Sequence, residues 1–273
     1  MRILTLPLLC VLILSSVSRA DFKADPIWHD GLVEKATYAA TRVIYDRPRA
    51  YDATFFTNKE QHDLNTLTKS SASTETTEVF KHNQIEVVPT PNYDYKFVTT
   101  SHLRVDDWTL TRLDAASQEF CGTSFKQYQS KRGPRGGKSW AYFGFSYMPE
   151  AGRIEKRVEQ ENNKTPVVAF NSLPVFLRGY DLSSRVTLSL ALLPDQKSNR
   201  DTSPDPVSAE VKYLSDDAQS YTLQLVIEGN LRGTFVFAKD RQNVMLSYEA
   251  ADGSQTYKLK SVERVDYWTI KGE

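Results

Sequence analysis

The chain has 273 residues, and its 34 Lys and Arg are balanced by 34 Asp and Glu. A near-neutral protein lacks the positive footprint that phosphate neutralisation demands, so nucleic acid is excluded as a partner. It also carries no basic cluster of the kind that holds a protein on anionic lipid.

Met1-Arg2 begins a short positive stretch, the run from Ile3 to Leu14 is mostly apolar, and Ser18-Arg19-Ala20 resembles an A-x-A cleavage site. This pattern predicts a signal peptide over 1–20, cut before Asp21. The apolar run is shorter than the roughly 20 residues that cross a bilayer comfortably. No comparable run follows, so no integral membrane span is expected after cleavage. The expected location is the periplasm or cell envelope of a bacterium, or the secreted medium. Loss of Arg2 and Arg19 leaves 32 basic residues against 34 acidic ones, and Cys121 becomes the sole cysteine. No intrachain disulfide can then form, and a core of this size does not require one.

Residues 21–273 read as one β-rich domain, with a possible two-sheet division near 159–182. Strand-like segments are Val33–Tyr45, Arg49–Thr57, Thr76–His82, Tyr93–Leu103, Trp108–Cys121, Thr123–Gln129 and Lys138–Tyr147. They are rich in Thr, Tyr, Phe and Val, which suit a pleated, half-buried surface. Leu67–Glu75 and Gly133–Gly137 read as loop and turn, and Glu161–Pro166 as a linker. Leu173–Gly179 predicts one short helix, with Pro174 near its start and Gly179 at its end. From Ser184 to Trp268, two-residue alternation such as Val186, Leu188, Leu190 and Leu192 predicts about six strands. Glu228-Gly229-Asn230 and Ala251-Asp252-Gly253 supply tight turns between them. The expected fold is all-β, an antiparallel meander curled into a barrel or half-barrel, with one short helix at a central crossover.

Chemistry-bearing residues are sparse. Cys121 could act as a nucleophile beside Glu119 if folding brought up a histidine, His82 or His102 being the candidates. A small buried hydrophobe is the plainer reading of that cysteine. No H-x-x-x-H, C-x-x-C or H-E-x-x-H occurs, so no metal site is expected. No P-loop, dinucleotide fingerprint or G-x-S-x-G is present, and no cofactor is expected. Tyr93, Tyr95 and Phe97 alternate along one strand, while Trp140 and Tyr142 begin another loaded with aromatics. Either a large aromatic core or an apolar ligand cavity would use them.

Ser117-Gln118-Glu119-Phe120-Cys121-Gly122, continued by Phe125-Lys126, resembles an uncharacterised family of exported bacterial β-rich proteins with an S-Q-E-W-C-G-x-x-F-type motif. Thr57-Asn58-Lys59-Glu60, Lys81-His82 and Tyr93-Asp94-Tyr95 extend the likeness, and Phe120 stands where Trp is usual. Some members bear the label septum formation inhibitor, a name belonging to a cytoplasmic α/β nucleotide pyrophosphatase and at odds with an exported β chain. The C-terminal meander, ending Val262-Glu263-Arg264-Val265, also looks like curled-sheet domains of unknown function from bacterial envelopes. The resemblance implies a fold and a location but no activity. The leading expectation is a non-enzymatic envelope protein that binds an apolar ligand or lipid in the curled sheet. The alternatives are an enzyme using Cys121 and a scaffold that binds other envelope proteins.

Overall fold

The computed structural model describes residues 22–70, 75–132, 138–148, 152–160, 167–180, 185–198 and 203–269. The predicted leader, the Gly133–Gly137 turn and the 161–166 linker lie outside them.

Eight strands follow one another as hairpins: β1 (Val33–Ile44), β2 (Arg47–Asp63), β3 (Thr76–Val88), β4 (Tyr95–Arg104), β5 (Leu110–Glu119), β6 (Gly122–Arg132), β7 (Lys138–Ser146) and β8 (Arg153–Gln160). After a short β9 (Val167–Ala169), the chain makes a helical passage centred on α1 (Leu173–Phe176). Six more strands complete the chain: β10 (Leu188–Leu193), β11 (Val207–Asp216), β12 (Ser220–Ile227), β13 (Asn230–Ala238), β14 (Met245–Ala250) and β15 (Gln255–Val265). The six C-terminal strands and the short helix stand where the alternation and the Pro/Gly pattern place them. In the N-terminal part β2 and β3 run six residues beyond their expected ends, and β8 and β9 were not anticipated. The two-residue alternation of β8 is hidden because the strand is a run of charged residues, Arg153, Glu155, Lys156 and Arg157 among them.

All fifteen strands belong to one sheet, ordered β8 to β1, then β15 down to β9. The division near 159–182 is therefore not a boundary between sheets: this crossover joins the sheet's two outermost strands. Neighbours are antiparallel except β9 and β10, which run parallel. The sheet is rolled but not closed. Its β9 edge lies inside the roll against β5, and Phe170–Ser172 lies against β4. Gln84 Nε2 donates to the Asn171 carbonyl at 2.9 Å, and Lys126 Nζ to the Gln196 carbonyl at 3.1 Å. Side-chain bonds thus do the work that a closing strand ladder does in a true barrel.

Alternation decides what fills the roll. Tyr38, Phe55, Phe80, Leu190, Val211, Leu223, Phe235 and Tyr257 point inward around Leu173, Val175, Phe176 and Leu177. One end is stoppered by the N-terminal segment: Phe22 meets Trp28 edge-on at 5.2 Å, and Phe80 stacks on Trp108 at 5.4 Å. Behind them Arg178 reaches the start of β1 as a fork, Nη1 to Glu34 Oε1 at 2.6 Å and Nη2 to Oε2 at 2.8 Å. The guanidinium also covers the Phe22 ring at 4.7 Å. The opposite end, where β1 turns into β2 and β5 into β6, stays open. Among the described residues, no helix is long and apolar enough to cross a membrane.

Candidate functional site

The open end is built by three hairpins. Tyr45 and Asp46 form the β1–β2 turn with φ of 54° and 56°, a left-handed pair that matches the twist of the flanking strands. That conformation swings the Tyr45 ring onto Tyr95, and their hydroxyls are hydrogen-bonded. From Tyr95 an aromatic ladder runs both ways. Inward, Phe97 stacks at 6.1 Å; outward, Tyr93 follows at 5.6 Å, and Phe120 stacks on Tyr93 at 4.8 Å. Phe120 is 85% exposed. The ladder therefore leads from solvent into the roll.

At its inner end the Arg42 guanidinium lies over Phe97, 4.4 Å from the ring centre. Its Nη1 is buried with no hydrogen-bond partner. A buried guanidinium nitrogen left unpaired is costly, and such a group calls for an explanation. Nearby carboxylates do not supply a direct contact. Glu86 is taken up by Lys197 Nζ at 2.7 Å, Tyr51 Oη at 2.6 Å and Tyr257 Oη at 2.7 Å. Asp195 accepts from Asn171 Nδ2 at 2.8 Å and from the Lys197 amide at 3.0 Å. Burial pushes both carboxyls up, but the charges of Lys197 and Arg42 outweigh it and hold them below the usual range.

Arg42 faces two cavities that share Val43 and Ser198. One, of about 400 Å³, lies among Tyr45, Tyr95, Phe97 and Tyr147 at the mouth. The other, of about 310 Å³, continues beneath Phe170, Pro194, Asp195, Tyr248 and Gln255. Both fall within the size range of small-molecule sites. Their walls mix aromatic faces with polar groups, so an unbroken apolar pocket is not what the roll contains.

The sequence-derived candidates scatter around this frame. Tyr93, Tyr95 and Phe97 are the ladder itself. Trp140 and Tyr142 lie in the core: Tyr142 donates to Gln196 Oε1 at 2.9 Å, and Trp140 packs on Tyr128. Cys121 is exposed in the β5–β6 turn rather than inside a strand, because Glu119 pairs with Gly122 across that turn. Its Sγ stands 3.2 Å from Tyr93 Oη, and Glu119 accepts from Tyr147 Oη at 2.8 Å.

Neither histidine candidate reaches the thiol. His82 faces the interior, where its Nδ1 stands 2.9 Å from Thr57 Oγ1 and burial drops its pKa to about 3. His102 lies on the opposite face. It is six residues from Lys96, which pairs with Gln118 near the cysteine; that is roughly 20 Å along a strand. What the sequence missed is Arg42, whose only signal was a charge at an inward-facing position of an otherwise regular strand. On the outer face, the fold also gathers Glu60, His62 and His102, whose ligand atoms lie within 4.8 Å of one another. No linear spacing announces that group.

No protein-family model matches the chain, and no curated protein matches it. A β-barrel-like protein of a domain of unknown function, DUF1849, from Brucella abortus, is similar among solved structures. It shares 13% identity with a TM-score of 0.47, covering 86% of this chain and 98% of that one.

Proposed function

We propose that this is a non-enzymatic binding protein of the bacterial envelope, exported by its leader, whose ligand is amphipathic rather than purely apolar. The observation that carries the reading is the unpaired Arg42 Nη1 at the inner end of an aromatic ladder that starts in solvent. An apolar tail would lie along Phe120, Tyr93 and Tyr95. A carboxylate or phosphate head would accept from the guanidinium, whose planar fork suits such oxygens. The hydroxyls of Tyr45, Tyr95 and Tyr147 give the mouth polar edges without filling it.

Native mass spectrometry on protein taken from its own envelope, with organic extraction, tests this directly. A discrete lipid-like acid, released on unfolding, is the expected result. A fluorescent fatty acid should bind the purified chain, and Arg42→Gln should weaken it at least tenfold while the far-ultraviolet circular dichroism stays unchanged. A clean apo mass, together with probe binding indifferent to Arg42→Gln, would overturn the reading.

A further inference from the structure

A second polar group lies on the other side of the sheet, near the stoppered end. β2 carries Glu60 and His62 two residues apart, so both project from its outer face. His102 projects from the same face of β4, beyond the intervening β3. Val79, on the β3 position between them, is fully buried. Across it the two imidazoles approach to 4.4 Å between ring centres. His62 Nε2 stands 2.8 Å from Glu60 Oε1, and His102 Nε2 stands 3.8 Å from the same oxygen.

We infer that Glu60, His62 and His102 form a binding site for a divalent first-row transition ion of the zinc class. Two features support the assignment. The first is convergence: one ligand atom from each of the three side chains lies within 4.8 Å of the others, and two imidazoles with one carboxylate are a donor set that such ions accept. The second is that the group is under-satisfied as protein alone. His102 is 6% exposed, and no hydrogen bond to its ring nitrogens is found among the described residues. Glu60 Oε2 likewise accepts no hydrogen bond, although the Lys81 ammonium stands 3.6 Å away.

The surroundings also set an affinity. A ligating imidazole usually donates its other N–H to an acceptor, and each missing partner costs roughly 10–100-fold. Neither His62 Nδ1 nor His102 Nδ1 has one. Binding should therefore be micromolar rather than of the tightness found in structural zinc sites.

The experiment is a calorimetric titration of the chelator-treated full chain with Zn²⁺ alone, beside a Co²⁺ titration read in the visible. One ion per chain and the absorption of low-coordinate Co²⁺ are expected. His62→Ala and His102→Ala should each weaken binding at least tenfold, whereas Cys121→Ser and His29→Ala should leave it unchanged. If His102→Ala does not fold, His102→Gln keeps the bulk and is read in its place. Absence of saturable binding at millimolar ion, binding that survives both histidine variants, or binding lost with Cys121→Ser would each overturn the assignment.

Discussion

Arg178 joins the helical passage to the sheet, and its removal offers a quantitative test of the packing scheme. The guanidinium makes two charge-assisted bonds to Glu34, a third from Nε to the Gln242 carbonyl at 2.8 Å, and ring contacts to Phe22 and Trp28. Both partners' side chains are at most 3% exposed. Arg178→Met would keep most of the stem's bulk but strand the Glu34 carboxylate in the core. Breaking one side of a buried pair costs about 3–5 kcal/mol, chiefly through the uncompensated charge left behind. With a urea dependence of about 3 kcal/mol per molar, the unfolding midpoint should fall by roughly 1–1.7 M. Tryptophan fluorescence would follow it, since Trp28 and Trp108 report from the same end of the roll. The double variant Glu34→Leu/Arg178→Met should recover much of the loss, because no charge is then abandoned. A midpoint shift below about 0.3 M for Arg178→Met, or a double variant no better than the single, would refute the idea that this pair fastens the plug.

Two further outcomes follow from the same core. At Gly179 an added Cβ would collide with the Trp108 ring, so Gly179→Ala should cost about 1–3 kcal/mol or more in a denaturant melt. A variant as stable as the parent would mean that Trp108 does not stand over that glycine. Buried His82 and His102 both have pKa values of about 3 in the folded chain, against 6.5 for a free histidine. Between those values the unfolded chain binds more protons, so stability should fall as pH drops below about 6.5. Each histidine contributes a slope of up to about 1.4 kcal/mol per pH unit. With chelator present, His82→Gln should reduce the slope between pH 6 and 5 by up to about 1.4 kcal/mol per pH unit, and an unchanged slope would show that His82 is not held neutral inside.

The sheet was legible in the sequence where one face is wet and one dry. From β10 to β15 the period of two is clean, and Gly229, with φ of 82°, sits where the β12–β13 turn needs a left-handed residue. It was not legible at β8, where charge replaces alternation, and the break read between Cys121 and Thr123 falls slightly earlier in the structure, at Phe120-Cys121. The two polar groups were harder still. Arg42 is an ordinary charged letter in β1 until the roll closes over it. Glu60 and His62 meet His102 only because the register of β3 against β2 and β4 sets them across it. Metal and ligand motifs read along a chain depend on fixed spacing, whereas these groups depend on strand register, which is settled by pairing across dozens of residues.

The order of strands has a consequence for how the chain could be cut and rejoined. β1 lies beside β15 in mid-sheet, Val33 opposite Val265, so the two ends of the described chain are neighbours. The crossover between β8 and β9 is instead the covalent tie between the sheet's two far edges. A circular permutant opened in that crossover and sealed near β1 and β15 would place all fifteen strands in sequence order, each beside its successor. The β1–β15 ladder, which closes a loop of more than two hundred residues in the native chain, would become one more local hairpin. Lower contact order speeds folding in small domains. The permutant should therefore fold faster than the native chain while keeping the same sheet, although the link within every strand pair but one is unchanged.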